Sequence, residues 1–242
     1  MSVGDIPVPR GYERAVVAEA SFGEWLRKIK LKSDSRIFLY NGQPRGNQST
    51  HFAVLDMPVG EKDLQQCADA ILRLRTEYFF SHHYLDSIHF RATDGTELSF
   101  AKWLKGERYQ QKENHLVPYH INVSTNNQRM QLEKFLEVVF NFYGTMSLSK
   151  DTKPVKEFND LGIGDIFIRA GSPGHAMIVL DVAVNSDGQK IFMLAQGLMP
   201  AQSIHIVKNP MDYKMSPWYK VNANHQVSTP DWVFYCNQIH RW

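Results

Sequence analysis

Cysteine is scarce in this chain: 242 residues contain two, Cys67 and Cys236. They could pair with each other, but two thiols cannot build the disulfide framework of a small cross-linked scaffold, so stability has to come from an apolar core. Long hydrophobic runs are also missing. The most apolar stretch, Ala176 to Val184, is interrupted by Asp181 and falls far short of the roughly 20 residues a membrane-spanning helix needs, so no transmembrane segment is expected. Charge of one sign does not dominate either. Lysine plus arginine number 27 against 25 acidic residues, a formal net charge of +2, and no basic block stands out, so no nucleic-acid partner is expected. Internal repeats, low-complexity tracts and long Pro/Gly/Ser linkers are absent, which predicts one continuous domain over 1–242. Met1 to Arg10 do not carry the basic-then-apolar pattern of a secretory signal, which leaves two expectations: a cytoplasmic protein, or one whose leader has been removed.

The chain does have enough apolar material for a sizeable core, with 43% hydrophobic residues against 21% charged. Ser21-x-x-Glu24 is a capping box that predicts a short helix from Phe22 to about Ile29. Arg36 to Tyr40 and Thr50 to Leu55 read as strands, separated by the Asn41-Gly42 turn. Leu64, Cys67, Ile71, Leu74 and Tyr78 recur at spacings of three and four, which predicts a helix with Asp63 as its natural N-cap. Ser87 to Ala92, the Asp94-Gly95 turn and Leu98 to Leu104 read as strand, turn and short helix. A further helix, capped by Asn126, carries the stripe from Met130 to Tyr143 and ends at Gly144. Asp165 to Arg169, His175 to Val184 and Gln189 to Gln196 are the expected sheet, with Asp187-Gly188 closing the last two into a hairpin.

Two reactive side chains fall at informative places in this pattern. Cys67 lies in the opening turn of its helix, where unpaired N–H groups and the positive dipole end favour an anion. His175 opens the most apolar strand, directly after Pro173-Gly174. A thiol at a helix start facing an imidazole is the arrangement that raises thiolate content for acyl transfer. An imidazole acting as base also needs an acceptor on its other nitrogen. Strand alternation puts His175, Met177, Val179 and Asp181 on one face, but Asp181, six residues on, is about 20 Å away at 3.3 Å per residue and cannot orient the ring. Gln196, expected opposite Val179 if the hairpin loop has two residues, can supply an amide oxygen. Against this stand plainer readings: a buried cysteine as a small core hydrophobe, a hydrogen-bonded strand histidine, and a cross-strand glutamine. Cys236, close to Trp232 and Tyr235, keeps the plain reading.

The order of a helix-borne cysteine, a Gly-Asp strand, a Gly-His strand and a polar residue on the next strand resembles the papain-like amidohydrolases, in particular the CHAP and NlpC-type cell-wall peptidases. The likeness is carried by Gln66-Cys67, Gly164-Asp165-Ile166 and Gly174-His175-Ala176. Over nearly its whole length the chain resembles an uncharacterised bacterial domain-of-unknown-function family, of the kind common in gut Bacteroidetes and often carrying export or lipoprotein leaders. The stretches that carry this second likeness are Leu64 to Ala70, Arg73-Leu74-Arg75, Gly171 to Ala176 and Met199 to Gln202. The resemblance implies an α+β, papain-like fold with an antiparallel sheet packed on the cysteine helix. It implies Cys67 as nucleophile, His175 as general base and Gln196 as orienting group, with Gln66 or the Cys67 amide and Gly174 at the oxyanion or binding position. It implies no metal or organic cofactor, and a peptide or peptidoglycan-like amide as substrate. Cys67 and His175 stand 108 positions apart, which implies a helical insertion at about 81–143.

Other constellations are weaker. His82, His83, Asp86 and His89, with His51 and Asp56, contain metal-ligand types but match no common zinc spacing, so a solvated turn is the simpler expectation. The aromatic tail, Trp218, Tyr219, Trp232, Phe234, Tyr235 and Trp242, could line a sugar groove but is expected as core. Ser172, Ser203 and His205 lack the Gly-x-Ser-x-Gly elbow of a serine hydrolase. The sequence thus predicts a cysteine amidohydrolase or peptidase, with a non-catalytic binding module on the same fold and a histidine-based metalloprotein as alternatives.

Overall fold

The computed structural model describes residues 1–123, 127–221 and 225–242. Along the chain, β1 (Tyr12–Arg14) and α1 (Phe22–Lys28) precede β2 (His51–Val54) and α2 (Cys67–Ser81). Two hairpins follow, β3 (His89–Arg91) with β4 (Glu97–Ser99) and β5 (Glu107–Lys112) with β6 (His115–His120), and α3 (Phe100–Leu104) lies between them. Next come α4 (Gln128–Phe142), α5 (Thr145–Asp151), β7 (Lys153–Pro154) and β8 (Ile166–Arg169). The long hairpin of β9 (His175–Asn185) and β10 (Lys190–Gln196) is followed by β11 (His205–Val207), β12 (Trp218–Tyr219), β13 (Gln226–Ser228), β14 (Val233–Tyr235) and β15 (Ile239–Arg241). The result is a mixed α+β architecture built on one large antiparallel sheet, in the order β2-β11-β10-β9-β8-β15-β7, with β1 added to β9 and β12 to β10.

Apolar character on both sides of β9 explains its central place. Leu180, Ala183, Ile178 and Ala176 belong to the main core with Leu26 of α1 and Ala68, Ala70 and Ile71 of α2. Met177, Val179 and Val182 belong to a second cluster with Phe167, Phe192, Leu194, Tyr219 and Phe234. A strand covered on both faces reads as a continuous hydrophobic run, which is how Ala176 to Val184 reads.

Several expectations change on contact with the structure. Arg36 to Tyr40 is not a strand. It makes only isolated bridges, Phe38 to Pro44 and Leu39 to Gln202; the N–H groups of Ile37 and Phe38 donate to the side chains of Gln48 and Ser203, and those of Leu39 and Tyr40 to the carbonyls of Gln43 and Ala201. Asp63 does not cap α2. The N-cap is Gln66, whose N–H donates to Asp69 Oδ2 at 3.1 Å, while Asp63 Oδ1 accepts from Ala201 N–H at 2.6 Å and ties the helix lead-in to the 199–203 loop. Asn126 lies outside the described residues; Asn127 caps α4, its side chain accepting from Met130 N–H at 3.0 Å. The 81–143 segment is not wholly helical, since both small hairpins lie in it. Asp181 does not share a face with His175. Met193 pairs with Asp181 and Leu194 with Val179, so Leu180 is the extra residue of a β-bulge, and the bulge turns Asp181 toward β1 and α1, where Arg14 Nε and Arg27 Nε respectively donate to it, each at 2.7 Å.

Candidate active site

Two glycines let the elements around Cys67 and His175 approach. Gly197 directly follows β10, and a Cβ there would lie 2.7 Å from Gln66 O and 3.0 Å from Ala70 Cβ, so only glycine allows the start of α2 to press against the end of that strand. Gly174 is equally constrained, since a Cβ would meet Thr145 Oγ1 at 2.4 Å and Gly171 O at 2.5 Å. Its place is therefore explained by packing of the 171–174 turn, just ahead of β9.

With these elements in contact, Cys67, His175, Gln66 and Gly174 line one cleft of about 740 Å³, together with Asp69, Tyr143 and Trp232. Cys67 is the first residue of α2, as its periodicity predicts. The N–H of Ala176, the residue after His175, favours the Cys67 thiolate, as do those of Ala68 and Cys67 itself. Burial outweighs them and, with the nearby Asp69 carboxyl, pushes the thiol up rather than down. That departs from the expectation of a helix-lowered thiol. Desolvation, the factor responsible, is not encoded in helix position.

His175 and Gln196 do come together, through two one-residue shifts of register. Lys190 pairs with Val184 rather than with Asn185, as a two-residue loop would require, and the bulge adds a second shift, so Ala195 lies opposite Ile178 and Gln196 faces Met177 rather than Val179, two positions closer to His175. His175 Nε2 lies 2.7 Å from Gln196 Oε1. An amide oxygen only accepts, so Nε2 carries the proton and the ring's lone pair is at Nδ1. Gln196 is itself held from the other end. Its Nε2 donates to Asp231 Oδ2 at 2.7 Å and lies 3.2 Å from His205 Nε2. His205 Nδ1 donates to Ser203 O at 2.9 Å, which leaves its Nε2 as an acceptor. Burial drives His205 down to about 4, so it stays neutral and both amide hydrogens of Gln196 are used. Asp231 in turn pairs with Arg45 at 3.3 Å.

The His175 ring is stacked on Trp232, centroids 5.2 Å apart and planes 13° from parallel, with Phe234 at 6.0 Å. Burial lowers the His175 pKa, against the opposing influence of Gln196 and Asp231. Resting thiol and resting imidazole are thus both neutral near pH 7. Asp231 and Trp232 come from a turn locked by Thr229, whose N–H donates to Trp232 O at 2.8 Å and whose Oγ1 accepts from Trp232 N–H at 3.0 Å.

Sequence reasoning missed Asp231, His205, Trp232 and Arg45 as parts of this assembly. His205 is directly opposite Gln196 in the β10–β11 register, a relation that only pairing reveals. The short Thr229-Pro230-Asp231-Trp232 turn is a local signal for Asp231 and Trp232, though not for what they meet, and Arg45 has no such signal. The histidines near His82 do not gather: His82 Nδ1 bonds Tyr78 O at 2.8 Å, and among the described residues no group of three or more His, Cys, Asp or Glu could hold a metal ion. Cys67 and Cys236 are both free. No described helix is long and apolar enough to cross a membrane.

Comparison with known proteins gives a family and nothing narrower. No curated protein and no solved structure matches the chain. A family model, DUF4846, described as Domain of unknown function (4846), matches residues 4–241, and the chain therefore belongs to that family.

Proposed function

We propose that this protein is a cysteine amidohydrolase or peptidase of papain-like fold, acting on a peptide or cell-wall amide through Cys67, His175 and Gln196. One observation carries the reading: Gln196 Oε1 fixes the proton of His175 on Nε2, and so leaves a basic Nδ1 on a ring that shares a cleft with Cys67. In the proposed reaction the Cys67 sulfur attacks the amide carbonyl carbon as its proton passes to His175 Nδ1. The oxyanion is held by the Cys67 N–H, which has no acceptor within the helix, and by Gln66. The C–N bond then breaks as His175 returns the proton to the leaving amine, giving a thioester. Water, deprotonated by the same nitrogen, hydrolyses the thioester and restores the thiol. Because both groups rest neutral, proton transfer accompanies attack rather than preceding it. Trp232 covers the His175 ring and shields its bond to Gln196 from water. No step calls on a cofactor.

The second reading, a binding module on the same fold, is favoured by one feature: burial and Asp69 both hold Cys67 in its thiol form. The two readings part on alkylation by iodoacetamide in a Cys236→Ser background. The catalytic reading expects Cys67 to react faster than a free model thiol near neutral pH, and expects His175→Ala to slow it by about 100-fold. Slow labelling that is unchanged in His175→Ala leaves the binding module.

A further inference from the structure

Arg75 stands apart from the other buried and half-buried arginines. Arg14, Arg27, Arg45 and Arg73 each pair with a carboxylate, and Arg108 donates to the carbonyls of Trp103 and Glu107 and to Gln131 Oε1. Arg75, on α2 two turns beyond Cys67, has no hydrogen bond or ion pair with any described residue. Its guanidinium carbon lies 4.2 Å from the Trp242 ring centroid and 4.8 Å from that of Phe79, so aromatic faces are its only partners. Burial lowers it to about 10. A guanidinium taken from water without an anion is costly, and ring contacts return only part of that cost.

A second unmet donor points to the same place. Trp242 Nε1 is buried and has no hydrogen-bond partner. Both groups line a pocket of about 410 Å³, separate from the Cys67 cleft, whose rim carries the exposed Arg91, Lys150, His89 and Ser87. One oxygen of each of its two carboxylates is engaged elsewhere: Glu97 Oε1 pairs with Lys102 at 3.4 Å, and Asp151 Oδ2 accepts from the Tyr143 hydroxyl at 3.2 Å and from the Arg91 N–H at 3.4 Å. Neither carboxylate accepts from the Arg75 guanidinium or from the Trp242 N–H.

We propose that this pocket binds the oxyanion group of a small ligand, a phosphate or a carboxylate, with the Arg75 guanidinium fork and the Trp242 indole N–H as its donors and Arg91 and Lys150 as supporting cations. The planar fork suits two parallel bonds to such a group, and the volume accommodates a small organic molecule around it. The test is calorimetric titration of the full chain with inorganic phosphate and, separately, with succinate, at matched ionic strength. Saturable binding of either supports the site, and the tighter of the two identifies the group. Arg75→Met keeps an apolar stem between the rings and is expected to weaken binding at least tenfold. Should Arg75→Met fail to fold, Arg91→Gln on the exposed rim is expected to weaken binding by about threefold and to flatten its salt dependence. The proposal is overturned if neither anion saturates below about 20 mM, which corresponds to little more than 2 kcal/mol of binding. Unchanged titration in the variant that folds overturns it equally.

Discussion

Strand β9 buries polar groups at two places, and they are treated differently. Asp181 is fully buried and fully engaged: Arg14, Arg27 and the Val182 N–H take up its oxygens. His175, six residues earlier, is also buried, but its polar chain of Gln196, Asp231, His205 and Arg45 secures one ring nitrogen and leaves the other out of the network. The first arrangement closes on itself and fastens β1 and α1 to the sheet. The second is completed on one side only and ends at a cleft. A buried polar network that uses every donor and acceptor but one is organised around the remaining atom, which is a physical reason for placing chemistry at His175 and none at Asp181.

Breaking the closed network should cost the most. Arg27→Met removes one of the two guanidinium partners of Asp181 and is expected to destabilise the fold by about 3 to 5 kcal/mol in urea unfolding. The folded fraction should keep the alkylation rate and pH profile of Cys67, and a changed profile would mean that the two networks are not independent. The next effect tests the half-open network through acid. His205 has a folded pKa of about 4 against 6.5 in the unfolded chain, so the folded state binds fewer protons between those values. Its contribution is intact above pH 6.5 and is lost as pH falls toward 4, by roughly 3 kcal/mol in all. Urea midpoints measured across that window should fall, and fall less steeply in His205→Gln. Smallest is the effect of uncovering the proposed base. Trp232→Ala admits water to the His175 ring, so the acid limb of Cys67 alkylation, expected below pH 6.5 in the wild type, should move up toward that value with little change in stability. An unmoved limb would remove Trp232 from the site.

The parts of this site that were legible in sequence are those fixed by local pattern. Cys67 at a helix start follows from the spacing of Leu64, Ile71 and Leu74, and the His175 strand from its flanking turn and unbroken apolar run. Register was not legible. A strand buried on both faces has no polar alternation to mark the bulge at Leu180, which displaced Asp181; that bulge and a hairpin loop one residue longer than expected together moved Gln196 by two positions. Loop contributions were invisible for a different reason. Arg45 and Asp231 meet across most of the chain, and neither lies in a periodic segment that would announce a partner. Arg36 to Tyr40 looked like a strand because its composition suits one, but the side chains of Gln48 and Ser203 and loop carbonyls of Gln43 and Ala201 satisfy its N–H groups instead of a neighbouring strand. The thiol's raised pKa belongs to the same class, since it depends on what closes over Cys67 and not on the helix that carries it.

The Thr229–Trp232 turn has a consequence for the life history of the molecule. Cys67 and His175 are brought to one cleft by contacts between α2 and the β9–β10 hairpin, but the clamp on Gln196 arrives with Asp231, 35 residues further along the chain. During synthesis the helix and then the hairpin emerge from the ribosome well before that turn. A nascent chain halted before it would hold the thiol and the imidazole without the brace that sets the proton. In the proposed enzyme, hydrolysis would then begin only once that turn has been made and has docked on Gln196.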